Sequence, residues 1–188
     1  MRPTEVVESN RPSRILSRAI AEHRLALDLL HELSDDFERA VELLRRCISR
    51  DGRILVCGNG GSAADAQHFA SELTAGTPPH AAIALTVDSS TITALANDHG
   101  YETIFARQVR ALGRVGDVLI GISTSGRSDN VLAALASGRA QSLHTIALTG
   151  AAGIGTECDL CLRVPSSSVQ RIQELHGLLL HSLWEACR

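Results

Sequence analysis

The chain has 188 residues, of which 44% are hydrophobic and 21% charged, the proportions of an ordinary globular protein. This length predicts one domain with a short extension, large enough to bury a core without disulfides or a structural metal. A net charge of −3 and an aromatic content of 3% argue against a nucleic-acid-binding protein, which needs a basic surface and base-stacking rings.

The sequence also indicates a compartment. The first residues have no secretory signal pattern, no apolar run is long enough to cross a membrane, and the five cysteines are an odd number. We therefore expect a cytoplasmic protein with reduced thiols and no membrane partner. Cys158 and Cys161 form the one C-x-x-C pair; their segment alternates like a strand, which would place them on opposite faces in a structural role.

Helical periodicity opens the chain, from Ser13 to Arg50. The run Ser34-Asp35-Asp36 interrupts it and predicts a helix N-cap, so two helices are expected before any strand. We expect residues 1–52 to be a helical extension used for oligomerisation, and residues 53–188 to form the main domain.

From Arg53 onward, short apolar runs alternate with helical stretches, which predicts a parallel sheet with helices on both faces, a three-layer α/β sandwich. The predicted strands are Ile54–Cys57, Ala81–Val87, Asp117–Ile122, Leu143–Leu148 and Leu160–Val164. The predicted helices are Ala63–Thr74, Ser90–Ala96, Tyr101–Leu112, Asn130–Arg139 and Ser168–Cys187. Ligands of such folds bind at the carboxyl ends of strands.

The first strand is followed by the glycine-rich loop Gly58-Asn59-Gly60-Gly61-Ser62, which leads directly into a helix. Glycines let backbone N–H groups approach an anion at a helix N-terminus. The same loop is compatible with a plain tight turn. It also matches a dinucleotide fingerprint, with Asp88 at the end of the next strand as the acid that would bind a ribose. This loop alone does not decide among the three.

The loop after the third strand is more specific. Ser123, Thr124, Ser125 and Ser128 place four hydroxyls within six residues, beside Gly126 and at the start of a helix. Capping a helix requires one such residue, whereas a ring of neutral donors at a helix N-terminus suits a phosphate monoester. The sequence therefore favours a phosphorylated small molecule over a dinucleotide.

Polar residues on two helices complete the set of candidates. His68 and Glu72 are four residues apart and share one helical face, and the last helix carries Gln173, Glu174, His176 and His181. Each group is compatible with an ordinary polar helix face. They form a site only if the two helices converge, which spacing does not reveal.

Five ordered motifs resemble those of the sedoheptulose-7-phosphate isomerases, the phosphoheptose isomerases of the SIS (sugar isomerase) class. The five motifs, each numbered at its first residue, are Cys57-Gly-Asn-Gly-Gly-Ser, His68-Phe-Ala-x-Glu-Leu, Ala96-Asn-Asp, Gly116-Asp-Val-Leu-Ile-Gly-Ile-Ser-Thr-Ser-Gly and Arg171-Ile-Gln-Glu-x-His. His181 accompanies the last of them. The likeness runs from about Ser13 to the C-terminus. It implies an SIS, flavodoxin-like fold and interconversion of sedoheptulose 7-phosphate and D-glycero-D-manno-heptose 7-phosphate through an enediol, the first step towards activated heptoses.

The resemblance also assigns residues. Glu72 would be the base that moves a proton between C1 and C2, and His181 the partner acid or base, which can come from a neighbouring subunit. The substrate would be bound by Asn59, Gly60, Gly61, Ser62, Glu72, Asn97, Asp98, Ser123, Thr124, Ser125, Ser128 and Gln173. One zinc per subunit would be held by His68, Glu72, Gln173 and His181, in a homotetramer with active sites between subunits.

Three alternatives stay open. The chain could isomerise another ketose phosphate, because the segment 75–81 is shorter than the usual family loop and His99 replaces an aromatic residue. It could be a non-catalytic SIS regulator that binds a protein partner, although those regulators lack the Glu and the terminal His that this chain has as Glu72 and His181. A nicotinamide-dependent enzyme ranks third, since it leaves the serine-rich loop unexplained.

Overall fold

The computed structural model describes residues 11–154 and 157–188, which open with two helices, α1 (Pro12–Leu29) and α2 (Ser34–Ile48). A 3-10 turn, Leu30–Leu33, joins them, so the predicted break is confirmed. The predicted cap is wrong: Ser34 is already helical, and its hydroxyl donates to the carbonyl of His31. Because the preceding turn is itself helical, no residue there has the extended backbone that an N-cap uses.

The predicted sheet is confirmed as five parallel strands in the order β2-β1-β3-β4-β5. The strands are β1 (Ile54–Gly58), β2 (Ala82–Ala84), β3 (Val118–Ser123), β4 (His144–Thr149) and β5 (Leu160–Arg163). The helices that follow α2 are α3 (Gly61–Ala75), α4 (Ser89–His99), α5 (Ile104–Leu112), α6 (Asp129–Ala140) and α7 (Val169–Ala186), with a 3-10 turn at Tyr101–Thr103.

Each face of the sheet has its own hydrophobic core. Ile54 and Val56 face the cluster formed with α2, α3 and α7, whereas Leu55 faces the cluster formed with α5 and α6. Successive side chains of a strand point to opposite faces, so strands that are apolar throughout belong between two helical layers. The three-layer α/β architecture is therefore confirmed.

The second strand is shorter than predicted. It ends at Ala84, and Asp88 lies beyond a turn as the N-cap of α4, where its carboxylate accepts from the backbone N–H of Thr91 at 3.1 Å and from the Thr91 hydroxyl at 2.7 Å. These bonds lower the pKa of Asp88, the Thr91 hydroxyl contributing most. Asp88 thus serves as a helix cap rather than as the strand-end acid of a dinucleotide site.

The expected separation of Cys158 and Cys161 is also wrong. Strand β5 begins at Leu160, so Cys158 precedes the region in which residues alternate between faces. Both cysteines pack against the same hydrophobic cluster and line one cavity, so they lie on the same side of the sheet. Within the residues that the structure describes, no helix combines the length and apolarity needed to span a membrane.

Candidate functional site

Strand pairing places the two candidate loops side by side. Gly58, at the end of β1, pairs with Ile122 near the end of β3, so both loops leave the same edge of the sheet. Two reciprocal hydrogen bonds tie them together: the Asn59 amide donates to Asn130 at 2.8 Å and accepts from it at 2.9 Å. The Tyr101 hydroxyl also donates to Asn59, at 3.1 Å.

Sequence reasoning missed Asn130. It is only 3% exposed and lies in the first turn of α6, where its amide fixes the distance between the two loops. The one signal in the sequence is an amide residue directly after the serine-rich loop. Its partner is 71 positions away, so only the pairing of β1 with β3 identifies it.

The glycine-rich loop reaches the helix through a left-handed residue, Gly60, with φ at +57°. The following Gly61 starts α3, and a Cβ there would lie 2.3 Å from Nε2 of Gln173. Glycine at this position therefore lets α7 bring the Gln173 amide against the first turn of α3. Ser62 is buried beneath the loop, and its N–H donates to the carbonyl of Asn59 at 3.0 Å.

The serine-rich loop forms a cradle at the N-terminus of α6. Together with the N-terminus of α3, this gives two helix ends that can attract an anion at the same edge of the sheet. The hydroxyls of Ser123 and Ser128 are 2.9 Å apart, and the exposed Ser125 hydroxyl accepts from the N–H of Arg127 at 3.2 Å. Gly126 turns the loop with φ at +66°. The hydroxyls and the partial positive charge of the helix end together suit a phosphate group.

Helices α3 and α7 converge and bring three candidate side chains together. The Nε2 atoms of His68 and His181 are 3.0 Å apart, and Oε1 of Glu72 lies 3.6 Å from the first and 3.7 Å from the second. We call these three residues the histidine–carboxylate cluster. They meet within one chain, so His181 needs no neighbouring subunit to reach Glu72.

In this cluster the two histidines are accessible to solvent, whereas the carboxylate is mostly buried. The side chains of His68 and His181 are 58% and 50% exposed, whereas that of Glu72 is 19% exposed. Oε2 of Glu72 is buried and has no hydrogen-bond partner among the described residues. Burying a carboxylate oxygen without a hydrogen-bond partner costs free energy of folding. Such oxygens are found in functional sites, where a ligand or a proton supplies the missing partner.

The donor set also fits a metal ion. One ligand atom from each of His68, Glu72 and His181 lies within 4.8 Å of the other two. Two imidazole nitrogens and one carboxylate oxygen are ordinary zinc ligands, and three protein ligands leave a position for substrate or water. The orphaned Glu72 oxygen is consistent with a cation at this point.

The remaining candidates occupy different places. Asn97 and Asp98 are exposed at the end of α4, where the Asn97 amide donates to Asp98 at 2.7 Å. No hydrogen bond within residues 11–154 and 157–188 joins them to either loop. Glu174 faces α1 and pairs with His23 at 2.7 Å, and the buried His176 lies 3.2 Å from the Thr149 carbonyl, so neither belongs to the cluster.

Comparison with known proteins agrees with this geometry. The SIS domain family model matches residues 20–150. The phosphoheptose isomerase of Thiobacillus denitrificans is 48% identical over 182 residues, covering 92% of both chains. The solved phosphoheptose isomerase of Neisseria gonorrhoeae superposes with a TM-score of 0.88 at 43% identity, covering 94% of this chain and 98% of the other.

A second solved structure, a phosphoheptose isomerase from Francisella tularensis, gives a TM-score of 0.87 at 37% identity with the same coverage. These likenesses extend over nearly the whole chain. The chain belongs to the SIS domain family and, within it, to the phosphoheptose isomerases.

Proposed function

We propose that this protein interconverts sedoheptulose 7-phosphate and D-glycero-D-manno-heptose 7-phosphate, an aldose–ketose isomerisation. The observation that carries the proposal is the buried, unpartnered Oε2 of Glu72, whose other oxygen faces His181 at 3.7 Å. The identity of 48% to a full-length phosphoheptose isomerase supports it.

The reaction needs one proton moved between adjacent carbons and a second group that serves the oxygens. Glu72 takes the proton from C1 of the ketose, which leaves an enediol, and returns a proton to C2 to give the aldose. His181 donates to the C2 carbonyl oxygen as the enediol forms and accepts the proton of the C1 hydroxyl. Because Glu72 lies on a helix and its side chain is mostly buried, the carboxylate keeps its position while the proton moves.

The two loops hold the rest of the substrate. Ser123, Thr124, Ser125 and Ser128 bind the phosphate, supported by the N-terminus of α6. The sugar hydroxyls are bound by the following residues: Asn59, Gly60, Gly61, Ser62, Asn97, Asp98 and Gln173. The amide pair of Asn59 and Asn130 supports this assignment, because it fixes the sugar-binding loop relative to the phosphate cradle.

Zinc, one per subunit, fits the histidine–carboxylate cluster. His68, Glu72 and His181 would hold it, and its chemistry there would be to polarise an oxygen of the substrate as a Lewis acid. The resemblance to the phosphoheptose isomerases adds Gln173 as a fourth ligand. Its amide lies against Gly61, in the first turn of α3.

The proposal includes a cytoplasmic homotetramer with active sites between subunits, with residues 1–52 as the oligomerisation extension and 53–188 as the SIS domain. Two features support a partner near the site. The side chains of His68 and His181 are at least half exposed. Helix α1 also presents apolar residues to solvent, among them Leu16 and Leu25 at 63% and 67% exposed.

Glu72→Gln tests the role of the carboxylate. The amide keeps the shape of the side chain but cannot accept the C1 proton, so we expect kcat to fall by about 10³-fold, within the range that general base catalysis contributes. Turnover is followed by formation of heptose 7-phosphate from sedoheptulose 7-phosphate.

Glu185→Gln is the matched control, because Glu185 is exposed on α7 one turn beyond His181. It should keep wild-type kcat, and both variants should keep the wild-type circular dichroism and elution volume. A Glu72→Gln protein with kcat within threefold of wild type would remove Glu72 as the base.

A further inference from the structure

A pair of cysteines lies outside the site just described. Cys161, in β5, places its Sγ 3.4 Å from the hydroxyl of Thr149 on β4, and a side-chain hydrogen bond joins it to Cys158. Both thiols are half-buried and line an open cavity of about 420 Å³. The two cysteines therefore pack against the same hydrophobic cluster and line one cavity that is open to solvent.

The surroundings divide the two thiols into different protonation states. The hydrogen bond from Cys158 is the largest influence on Cys161 and, with the Thr149 hydroxyl and Arg163, lowers its pKa to about 5 although burial opposes this. The same hydrogen bond, followed by burial, raises the pKa of Cys158. These surroundings favour the thiolate form at Cys161 and the protonated thiol at Cys158.

Charged groups from three elements face this pair. Beside the cysteines lie Asp159 and Arg163, α2 contributes Asp36 and Arg39 to the cavity, and α6 contributes Arg139, which pairs with Asp159 at 3.5 Å. The cavity therefore carries both signs of charge and admits a zwitterionic or anionic small molecule.

The other cysteines differ in accessibility and in acidity. Cys47 and Cys57 are buried, and burial raises their pKa to about 11 and about 12. Burial also raises the pKa of Cys187 to about 11. Since the thiolate is the reactive form, these three serve as internal controls for the reactivity of the pair.

We propose that Cys158 and Cys161 form a redox-active dithiol that a low-molecular-weight disulfide of the glutathione type converts to an intramolecular disulfide. The Cys161 sulfur attacks the small disulfide, forming a mixed disulfide and releasing one thiolate. The Cys158 sulfur then loses its proton and attacks the Cys161 sulfur, which breaks the mixed disulfide and releases the second small thiol. The protein loses two electrons and the proton of Cys158, and the small disulfide is reduced to one thiolate and one thiol.

Mass spectrometry of the native, full-length protein tests this. After incubation with glutathione disulfide at pH 7, the reaction is stopped with acid, remaining thiols are alkylated in denaturant, and the protein is cut with trypsin. The tryptic fragment 140–163 contains Cys158 and Cys161 and no other cysteine. We expect it to escape alkylation and to be lighter by two hydrogen atoms, while the fragments with Cys47, Cys57 and Cys187 are alkylated.

Two variants separate the roles of the sulfurs. Cys158→Ser should accumulate one glutathione on Cys161, because the resolving thiol is gone, whereas Cys161→Ser should react at least tenfold more slowly at Cys158. Cys187→Ser, the matched control, should behave as wild type. A wild-type fragment 140–163 that carries two alkyl groups, or a stable glutathione adduct, would overturn the proposal without recourse to any variant.

Discussion

At the residue scale, the function depends on how a few side chains are presented. The sequence predicted Glu72, His68 and His181 as candidates, and the structure adds that they meet within 4.8 Å with one carboxylate oxygen buried and unpartnered. Burial of that oxygen depends on how α3 packs against its neighbours, and this packing cannot be predicted from the spacing of residues in the sequence. Asn130 escaped prediction for a related reason, because its partner Asn59 is distant in the chain.

The serine cradle yields a prediction at this scale. Ser123→Ala combined with Ser125→Ala removes two of the hydroxyls that we propose bind the phosphate. Hydrogen bonds to a charged group contribute about 1.5–3 kcal/mol each. Since the phosphate is held equally in the ground state and the transition state, we expect KM to rise by about 10²-fold or more with kcat within a few-fold of wild type.

Steady-state kinetics with sedoheptulose 7-phosphate measures both constants. Ser49→Ala, at the exposed end of α2 where the hydroxyl donates to the Arg46 carbonyl, is the control that should leave KM unchanged. An unaltered KM in the double variant would place the phosphate elsewhere.

At the element scale, α7 does two jobs with different faces. Leu175 and Leu183 are buried against the sheet, while Gln173 reaches Gly61 and His181 reaches the cluster. The 3.6-residue period predicted the helix and its extent closely, because the buried leucines set the period. The convergence of α7 with α3 could not be predicted, because side chains from distant parts of the chain decide how helices pack.

His176 on α7 gives a pH-dependent prediction. Its Nε2 lies 3.2 Å from the Thr149 carbonyl, and its Nδ1 is buried with no hydrogen-bond partner among the described residues. Burial lowers its pKa from 6.5 to about 4, since a proton on Nδ1 would be both desolvated and unpaired.

The sign follows from that lowered pKa. Between pH 6.5 and 4 the unfolded chain binds a proton at His176 that the folded protein does not, so stability falls as pH falls through this window, by about 3 kcal/mol in total, and levels off below the folded pKa. Above pH 6.5 both states are neutral and His176 contributes no pH dependence.

Urea unfolding at fixed protein concentration, from pH 7 to 4.5, measures this. His176→Gln keeps an N–H donor for Thr149 and removes the titration, so its unfolding free energy should decline less steeply than that of wild type. Parallel slopes for the two proteins would show that His176 is not the group responsible.

At the scale of the whole molecule, the alternation of apolar runs and helical stretches sufficed to predict the parallel sheet, and the position of ligands at the carboxyl ends of its strands followed from that architecture. The strand order β2-β1-β3-β4-β5 was not predictable from the pattern, yet it is what makes β1 and β3 neighbours and brings the two loops together. Local turns limited the prediction elsewhere: the chain leaves β2 after Ala84, and β5 starts beyond Cys158.

The proposed isomerisation can be followed by nuclear magnetic resonance of the purified protein with sedoheptulose 7-phosphate in deuterated water, with and without added zinc. A carboxylate base whose proton exchanges with solvent delivers deuterium to the enediol, so we expect D-glycero-D-manno-heptose 7-phosphate with deuterium at C2. A folded protein that forms no heptose 7-phosphate under either condition would contradict the proposed activity. Product without deuterium would show that the proton passes from C1 to C2 without exchange with solvent.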